Sequence, residues 1–169
     1  RLQGDWSSDV CSSDLIYTPP SEEFLRDQFV KAKELGLNLM RCHIKVPTES
    51  YLDLCDELGL LVWYEIPNGK ELTETFRNHA PYTFRQMWRR DACHPSICFA
   101  SIINESWGID LNDPDQRDWL RDTYYWAKSL ATPWLIVDNS PCIPNFHVVT
   151  DLDDYHIYFN IPEIGRAHV

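Results

Sequence analysis

Short runs that are apolar on both faces, with amphipathic helices between them, constrain this chain more than any other feature. The runs are Asn38–Ile44, Leu60–Ile66, Ile97–Ile103 and Trp134–Val137. None alternates polar with apolar residues, so neither face is left to solvent; strands of that kind belong to parallel sheets covered by helices. The spacers carry helical periodicity. Ser21 is an N-cap with Glu22 and Glu23 behind it, and Leu25, Phe29 and Ala32 follow at helical spacing to Gly36. Pro47-Thr48 opens a helix with Leu52, Cys55 and Leu58 on one face and Gly59 at its end. Phe84, Met87 and Trp88 predict a third helix, stopped by His94-Pro95, and Asp115 caps a fourth that carries Trp119, Thr123 and Trp126. The stretch Pro67–Pro81 is polar and aperiodic and reads as a loop, and Tyr155–Tyr158 reads as a further strand.

Strands and crossovers in this order fit an open doubly wound sheet or part of a (β/α)8 barrel. No Gly-rich phosphate loop follows a strand, which counts against the nucleotide-binding open sheets. Polar residues recur at the C-terminal ends of the runs: Arg41 and His43, Glu65, Asn104-Glu105, Asp138-Asn139, then His156 with Tyr158. In a barrel those ends converge on one rim, where such folds keep their chemistry.

Composition excludes several partners. A net charge of −11 over 169 residues, with no Lys/Arg cluster, argues against nucleic acid and anionic membranes, and no apolar run is long enough to span a bilayer. Seven tryptophans provide for a sizeable core. The ends read differently from the rest. Residues 4–15 repeat the unit Ser-Ser-Asp without period, and Asp9–Leu15 and Ile164–Val169 back-translate to near reverse complements that resemble a common sequencing adapter. Arg1–Leu15 and Ile164–Val169 are therefore expected to be adapter-derived, and Ile16–Glu163 to be an internal piece of a longer protein. Cys42, Cys55, Cys93, Cys98 and Cys142 have neither metal nor redox spacing and are expected to be buried free thiols.

Among the polar strand ends, Glu105 stands where an apolar run stops, between Asn104 and Ser106-Trp107. A carboxyl partly buried beside an aromatic ring suits a general acid; the plainer alternative is a cap for the next helix. Arg41 and His43, two apart on a strand, share a face and either meet a ligand or make a structural salt bridge. Glu65 is a substrate contact or the partner of Arg41. Trp107 is the aromatic best placed to stack on a sugar, whereas Trp63, Trp88, Trp119 and Trp126 read as core. His156 and Tyr158 line the same rim, and Asp138 and Asn139 read as structural. A metal site at His43 is rejected, because a second His and a carboxylate do not occur at ligand spacing.

Asn38-Leu39-Met40-Arg41-Cys42-His43, then Leu60–Pro67, then Arg90-Asp91-Ala92-Cys93-His94-Pro95-Ser96-Ile97 running to Ile103-Asn104-Glu105, resemble the (β/α)8 barrel of glycoside hydrolase family 2, which includes β-galactosidases, β-glucuronidases and β-mannosidases. The resemblance covers Ile16–Glu163, about strands two to six, and its most specific piece is Arg-Asp-x-x-His-Pro-Ser-Ile followed by a strand and Asn-Glu. It implies an O-glycosyl hydrolase of the retaining type working on β-linked carbohydrate without a cofactor, with Glu105 as acid/base and Asn104 on the sugar 2-hydroxyl. It further implies Arg41 near the nucleophile and Tyr158 as a strand-six aromatic; together with the readings from the residues themselves, Arg41, His43, Glu65, Trp107, His156 and Tyr158 are the expected substrate-side residues. His43 follows Arg41 by two residues where many members have three, which sets it apart from the pattern. The nucleophilic glutamate belongs on strand seven and the family's β-sandwich domains elsewhere in the parent chain, so the polypeptide by itself is expected to be inactive. The alternative is a non-catalytic carbohydrate-binding or structural barrel, which needs no strand-seven glutamate.

Overall fold

Each helix begins where a side chain stands ready to accept from the free N–H groups of a first turn. In the computed structural model, which describes residues 19–142 and 144–156, Ser21 accepts from Phe24 N and opens α1 (Glu22–Glu34), while Thr48 accepts from Tyr51 N and opens α2 (Glu49–Leu58). Leu25, Phe29 and Ala32 form the buried stripe of α1, and Gly59, at φ 67°, ends α2 in the left-handed conformation that costs glycine nothing. Between and after them come β1 (Leu39–Arg41) and β2 (Leu61–Glu65), then α3 (Glu74–Asp91), β3 (Ile97–Asn104), α4 (Pro114–Leu130) and β4 (Leu135–Ser140).

The four strands are all parallel and lie in sequence order, β1-β2-β3-β4. An open doubly wound sheet reverses its strand order at a switch point; this sheet does not, and steady winding in one direction is how a (β/α)8 barrel grows. The fold is thus α/β, a partial (β/α)8 barrel of parallel strands with outer helices. Val62, Tyr64, Ile102 and Ile136 are sealed between sheet and helices together with Phe29, Leu52, Phe84 and Leu120.

Two readings of the helices are corrected. Pro67–Pro81 is not all loop: Thr73 caps α3 by accepting from Phe76 N, and Pro81 lies inside that helix. The proline removes one helical donor, but buried Ala80, Phe84 and Met87 dock the same face onto the core on both sides of it, and packing outweighs the lost bond. The cap of α4 is Asp113 rather than Asp115, with Pro114 in the first turn where its missing N–H is no loss. Of Tyr155–Tyr158, expected as a strand, His156 makes a parallel bridge to Cys142, while Ile157 and Tyr158 lie outside the described residues, as do Arg1–Leu15 and Ile164–Val169. Cys42 and Cys55 are buried free thiols as expected, but Cys93 is exposed. Among the described residues no helix is long and apolar enough to cross a membrane.

Candidate active site

Parallel strands deliver their C-terminal residues to one rim, and here they deliver groups that need one another. Arg41 closes β1 and is almost fully buried; its Nε lies 2.6 Å from Oε1 of Glu65, the last residue of β2. One turn further on, Ile44 N donates to Glu65 Oε2 at 2.6 Å, and His43 Nδ1 stands 3.2 Å from the same oxygen, off the line of a hydrogen bond. Burial alone would push the Glu65 carboxyl up; His43, the charge of Arg41 and the Ile44 N–H outweigh it and hold it below its ordinary value. Glu65, 1% exposed, is the ion-pair partner of Arg41. Arg41 and His43 do share a target, although His43 lies past the end of β1 in a turn.

The guanidinium of Arg41 serves two more groups. Its Nη2 donates to Asn104 Oδ1 at 2.5 Å, and its Nη1 is 2.9 Å from His156 Nε2. Because a guanidinium only donates, the amide oxygen of Asn104 must face it, and the orientation of that side chain is settled. Asn104 Nδ2 is then a buried donor without a partner among the described residues. Asn68, from the loop after β2, brackets the backbone of the same residue, with Nδ2 on Asn104 O at 3.0 Å and Oδ1 on Asn104 N at 3.3 Å.

Glu105 directly follows β3, and it is not a helix cap, since α4 begins nine residues later behind Asp113. Glu105 and Ser106 have φ of 51° and 58°, and Ile44 across the rim has φ 43°. Left-handed backbone at non-glycine residues costs of order 1–3 kcal/mol each and persists only where neighbours over-determine it. Here Glu105 N donates to Ser140 O at 2.8 Å and Ser106 N to Asn139 Oδ1 at 2.7 Å, while Asn139 Nδ2 donates to Ser106 Oγ at 2.8 Å. The turn thrusts the Glu105 carboxyl sideways to His156, whose Nδ1 is 2.7 Å from Oε1; both side chains keep a small exposed area, 13% and 12%.

Asp138, one residue before this clamp, accepts from His147 and from the N–H groups of Val148 and Val149, so it shapes the segment after β4. Trp63 is core, its Nε1 on Ser101 Oγ and its ring 5.3 Å from the Arg41 guanidinium carbon. Trp107 is 48% exposed, edge-on to His43 with ring centroids 6.3 Å apart. It lines a cavity of about 460 Å³ with Ile44, Asn68, Gly69, Lys70 and Gly108, within the size range of small-molecule pockets. The structure thus brings Arg41, His43, Glu65, Asn104, Glu105, Trp107 and His156 to one rim; Tyr158 lies outside the described residues. Sequence reasoning missed Asn68, Ser140 and Asp154. Ser140 had a signal, directly after the strand-end pair Asp138-Asn139, whereas Asn68 and Asp154 sit in loops with none.

Parallel strands wound in one direction, with a carboxylate, an imidazole, a guanidinium and an amide gathered past their C-terminal ends, define a (β/α)8 protein with a polar, ligand-sized rim. No family model matches the chain. It is 34% identical over 99 residues to a β-galactosidase of Thermoanaerobacter pseudethanolicus, a match covering 57% of this chain and 12% of that protein. Among solved structures it resembles the apo form of Bacteroides uniformis β-glucuronidase 3, with 26% identity, a TM-score of 0.67 and 90% of this chain against 21% of that one. It also resembles a GH2 β-galacturonidase from Eisenbergiella tayi bound to galacturonate, with 26% identity, a TM-score of 0.64, and 73% and 22% coverage. The chain is similar to these glycosidases, one of which is described as a GH2 enzyme, and it spans about an eighth of the length of the first of these relatives.

Proposed function

We propose that this chain supplies the acid/base side of a retaining O-glycosyl hydrolase acting on β-linked carbohydrate. The observation that carries the reading is the pairing of Glu105, thrust into the rim by a left-handed turn, with Asn104, whose buried Nδ2 has no partner among the described residues. Protonated Glu105 gives its proton to the glycosidic oxygen as the bond to the anomeric carbon breaks. A second carboxylate, on the family's seventh strand and outside this sequence, attacks from the opposite face at a carboxyl separation of about 5–5.5 Å. Glu105, now ionised, takes a proton from water, which releases the sugar with its configuration retained. Asn104 Nδ2 donates to the 2-hydroxyl, a bond that strengthens as positive charge grows at the neighbouring carbon. Arg41 makes this possible by occupying Oδ1 and turning the N–H groups outward. Trp107 offers an exposed indole face to the apolar side of a sugar ring, beside the cavity it lines.

Two measurements test the reading. The 169-residue polypeptide alone turns over no aryl β-glycoside, and Glu105-dependent turnover by it would overturn the placement of the nucleophile. In the parent enzyme, recovered by sequencing outward from this segment, Glu105→Gln lowers kcat/KM for glycosides with poor leaving groups by about 10²–10⁴. Substrates whose leaving groups need no proton lose far less in the first step. An equal loss across leaving groups would remove Glu105 from the acid role.

A further inference from the structure

We infer that His156 is a positioning residue for Glu105, held by Arg41 in the tautomer that carries its proton on Nδ1. His156 Nδ1 lies 2.7 Å from Glu105 Oε1, and Nε2 lies 2.9 Å from Arg41 Nη1 and 3.0 Å from Ser140 Oγ. A guanidinium has donors only, so an Nε2 that faced it with a proton would set two N–H groups against each other. The lone pair belongs on Nε2, and the ring proton on Nδ1, where it points at the carboxylate. Ser140 competes: its hydroxyl hydrogen bonds to Asp154, which leaves an oxygen that favours a proton on Nε2. That contact is neutral, whereas the Arg41 bond is charge-assisted and about twice as strong, so Arg41 decides.

Neither partner is free to turn away. Arg41 is tied to Glu65 and Asn104 at 2.6 and 2.5 Å, and the backbone N of His156 donates to Pro141 O at 2.8 Å. With Oε1 of Glu105 accepting from Nδ1–H, the proton delivered to the substrate is carried on Oε2, and His156 does not take it up. The ring sets which carboxylate oxygen works and favours the ionised form that must later activate water. Among the described residues the charged and titratable groups around the pair include Arg41 from β1, Glu65 from β2, and Cys142 and Asp154 after β4; burial pushes the Cys142 thiol up, which keeps it neutral.

This inference rests on Glu105 being the acid/base, and its test separates the two. In the parent enzyme the alkaline limb of the kcat/KM profile reports the free-enzyme acid. His156→Phe removes the donor to the carboxylate, so the limb moves up by about one pH unit and kcat falls by about tenfold with little change in KM. His156→Asn returns an N–H to the place of Nδ1 and moves the limb back. If Glu105→Gln abolishes the limb while His156→Phe leaves it in place, the inference fails and the acid assignment stands. If Glu105→Gln leaves the limb intact, the acid assignment fails. The tautomer is then read by itself from the ¹⁵N shifts of labelled histidine, assigned by their loss in His156→Phe. A protonated Nε2 in the neutral ring overturns the inference whatever the activity, and it does so even if the variants fold poorly.

Discussion

Asn104 shows how a single amide is made specific by what touches its other end. A free asparagine can flip; this one cannot, because Arg41 Nη2 demands an acceptor at 2.5 Å and so aims Nδ2 into the rim. If Nδ2 meets the sugar 2-hydroxyl, Asn104→Ala costs the parent enzyme far more on a 2-hydroxy glycoside than on its 2-deoxy analogue. The wild-type preference for the former should shrink by about 10²-fold, which corresponds to a few kcal/mol of transition-state contact. A preference that survives the substitution would give the 2-hydroxyl to another group. Arg41 itself is the centre of the rim, with Glu65, Asn104 and His156 on its three nitrogens. Arg41→Met leaves Glu65, 1% exposed, with its main charge partner gone, and should destabilise the chain by about 3–5 kcal/mol in urea denaturation. Arg41→Lys should recover only part of that, since an ammonium cannot fork to three acceptors. The presence of Arg41, Asn104 and Glu105 at strand ends was legible in the sequence; that one guanidinium orients the other groups was not, since their separations of 24, 63 and 115 residues hold no local pattern.

The loops after β2 and β3 hold the site by pressing on each other. Gly108, at φ 77°, comes so near the other loop that a Cβ there would lie 2.7 Å from Gly69 O and 2.9 Å from Glu71 N. Gly108→Ala therefore meets backbone that cannot swing aside, besides about 1–2 kcal/mol for left-handed conformation. Its urea midpoint should fall, and kcat of the parent should fall with it, because Asn68, which brackets Asn104, sits on the displaced loop. Unchanged activity would show that the loop contact is dispensable. Cap substitutions are milder: Thr73→Ala should cost about 1 kcal/mol, measured the same way, by leaving Phe76 N without its acceptor. Caps and apolar stripes act within one turn of chain, and so Ser21, Thr48 and Gly59 declared their helices in the sequence. The start of α3 escaped because Pro81 reads as a breaker, and only docking of Ala80, Phe84 and Met87 carries the helix across it.

The molecule's acidity is arranged with opposite signs in different places, and this predicts how its stability varies with pH. Burial works against the charges of Asp56, Glu65 and Asp151, yet their partners prevail: Ser96 and His94 at Asp56, His43 and Arg41 at Glu65, Lys128 and Ile136 N at Asp151. All three are lowered, so the stability they confer is fully present above the ordinary carboxylate values near 4 and is lost as pH falls through their folded values. Burial also works against the charge of His147, but Asp138 and the Asp154 carbonyl outweigh it and raise the ring above 6.5. Stability from a raised group is full below its unfolded value and is lost as pH rises through the folded one. Asp154, pushed up by burial above its ordinary 3.8, acts in the same sense as His147. The urea midpoint of the chain should thus peak at weakly acidic pH, drop below about pH 4, and decline again above about pH 6.5 with a slope that His147→Gln flattens. A midpoint still rising from pH 6.5 to 8.5 would contradict the assignment of His147.

Periodicity and end residues by themselves determined that this chain is a parallel α/β unit with polar strand ends, because burial of both strand faces and capping of helix ends are written in neighbouring residues. The stretch from Arg90 to Glu105 that carries most of the resemblance is likewise contiguous and was readable. Periodicity left barrel and open sheet both standing and the resemblance pointed to the barrel; the strand order, a property of long-range pairing, bears that out. The tertiary structure alone assigned Glu65 to Arg41, withdrew Glu105 from helix capping, and set His156 between a guanidinium and a carboxylate. Those choices depend on which charges burial brings within 3 Å of one another, and no stretch of sequence encodes that distance.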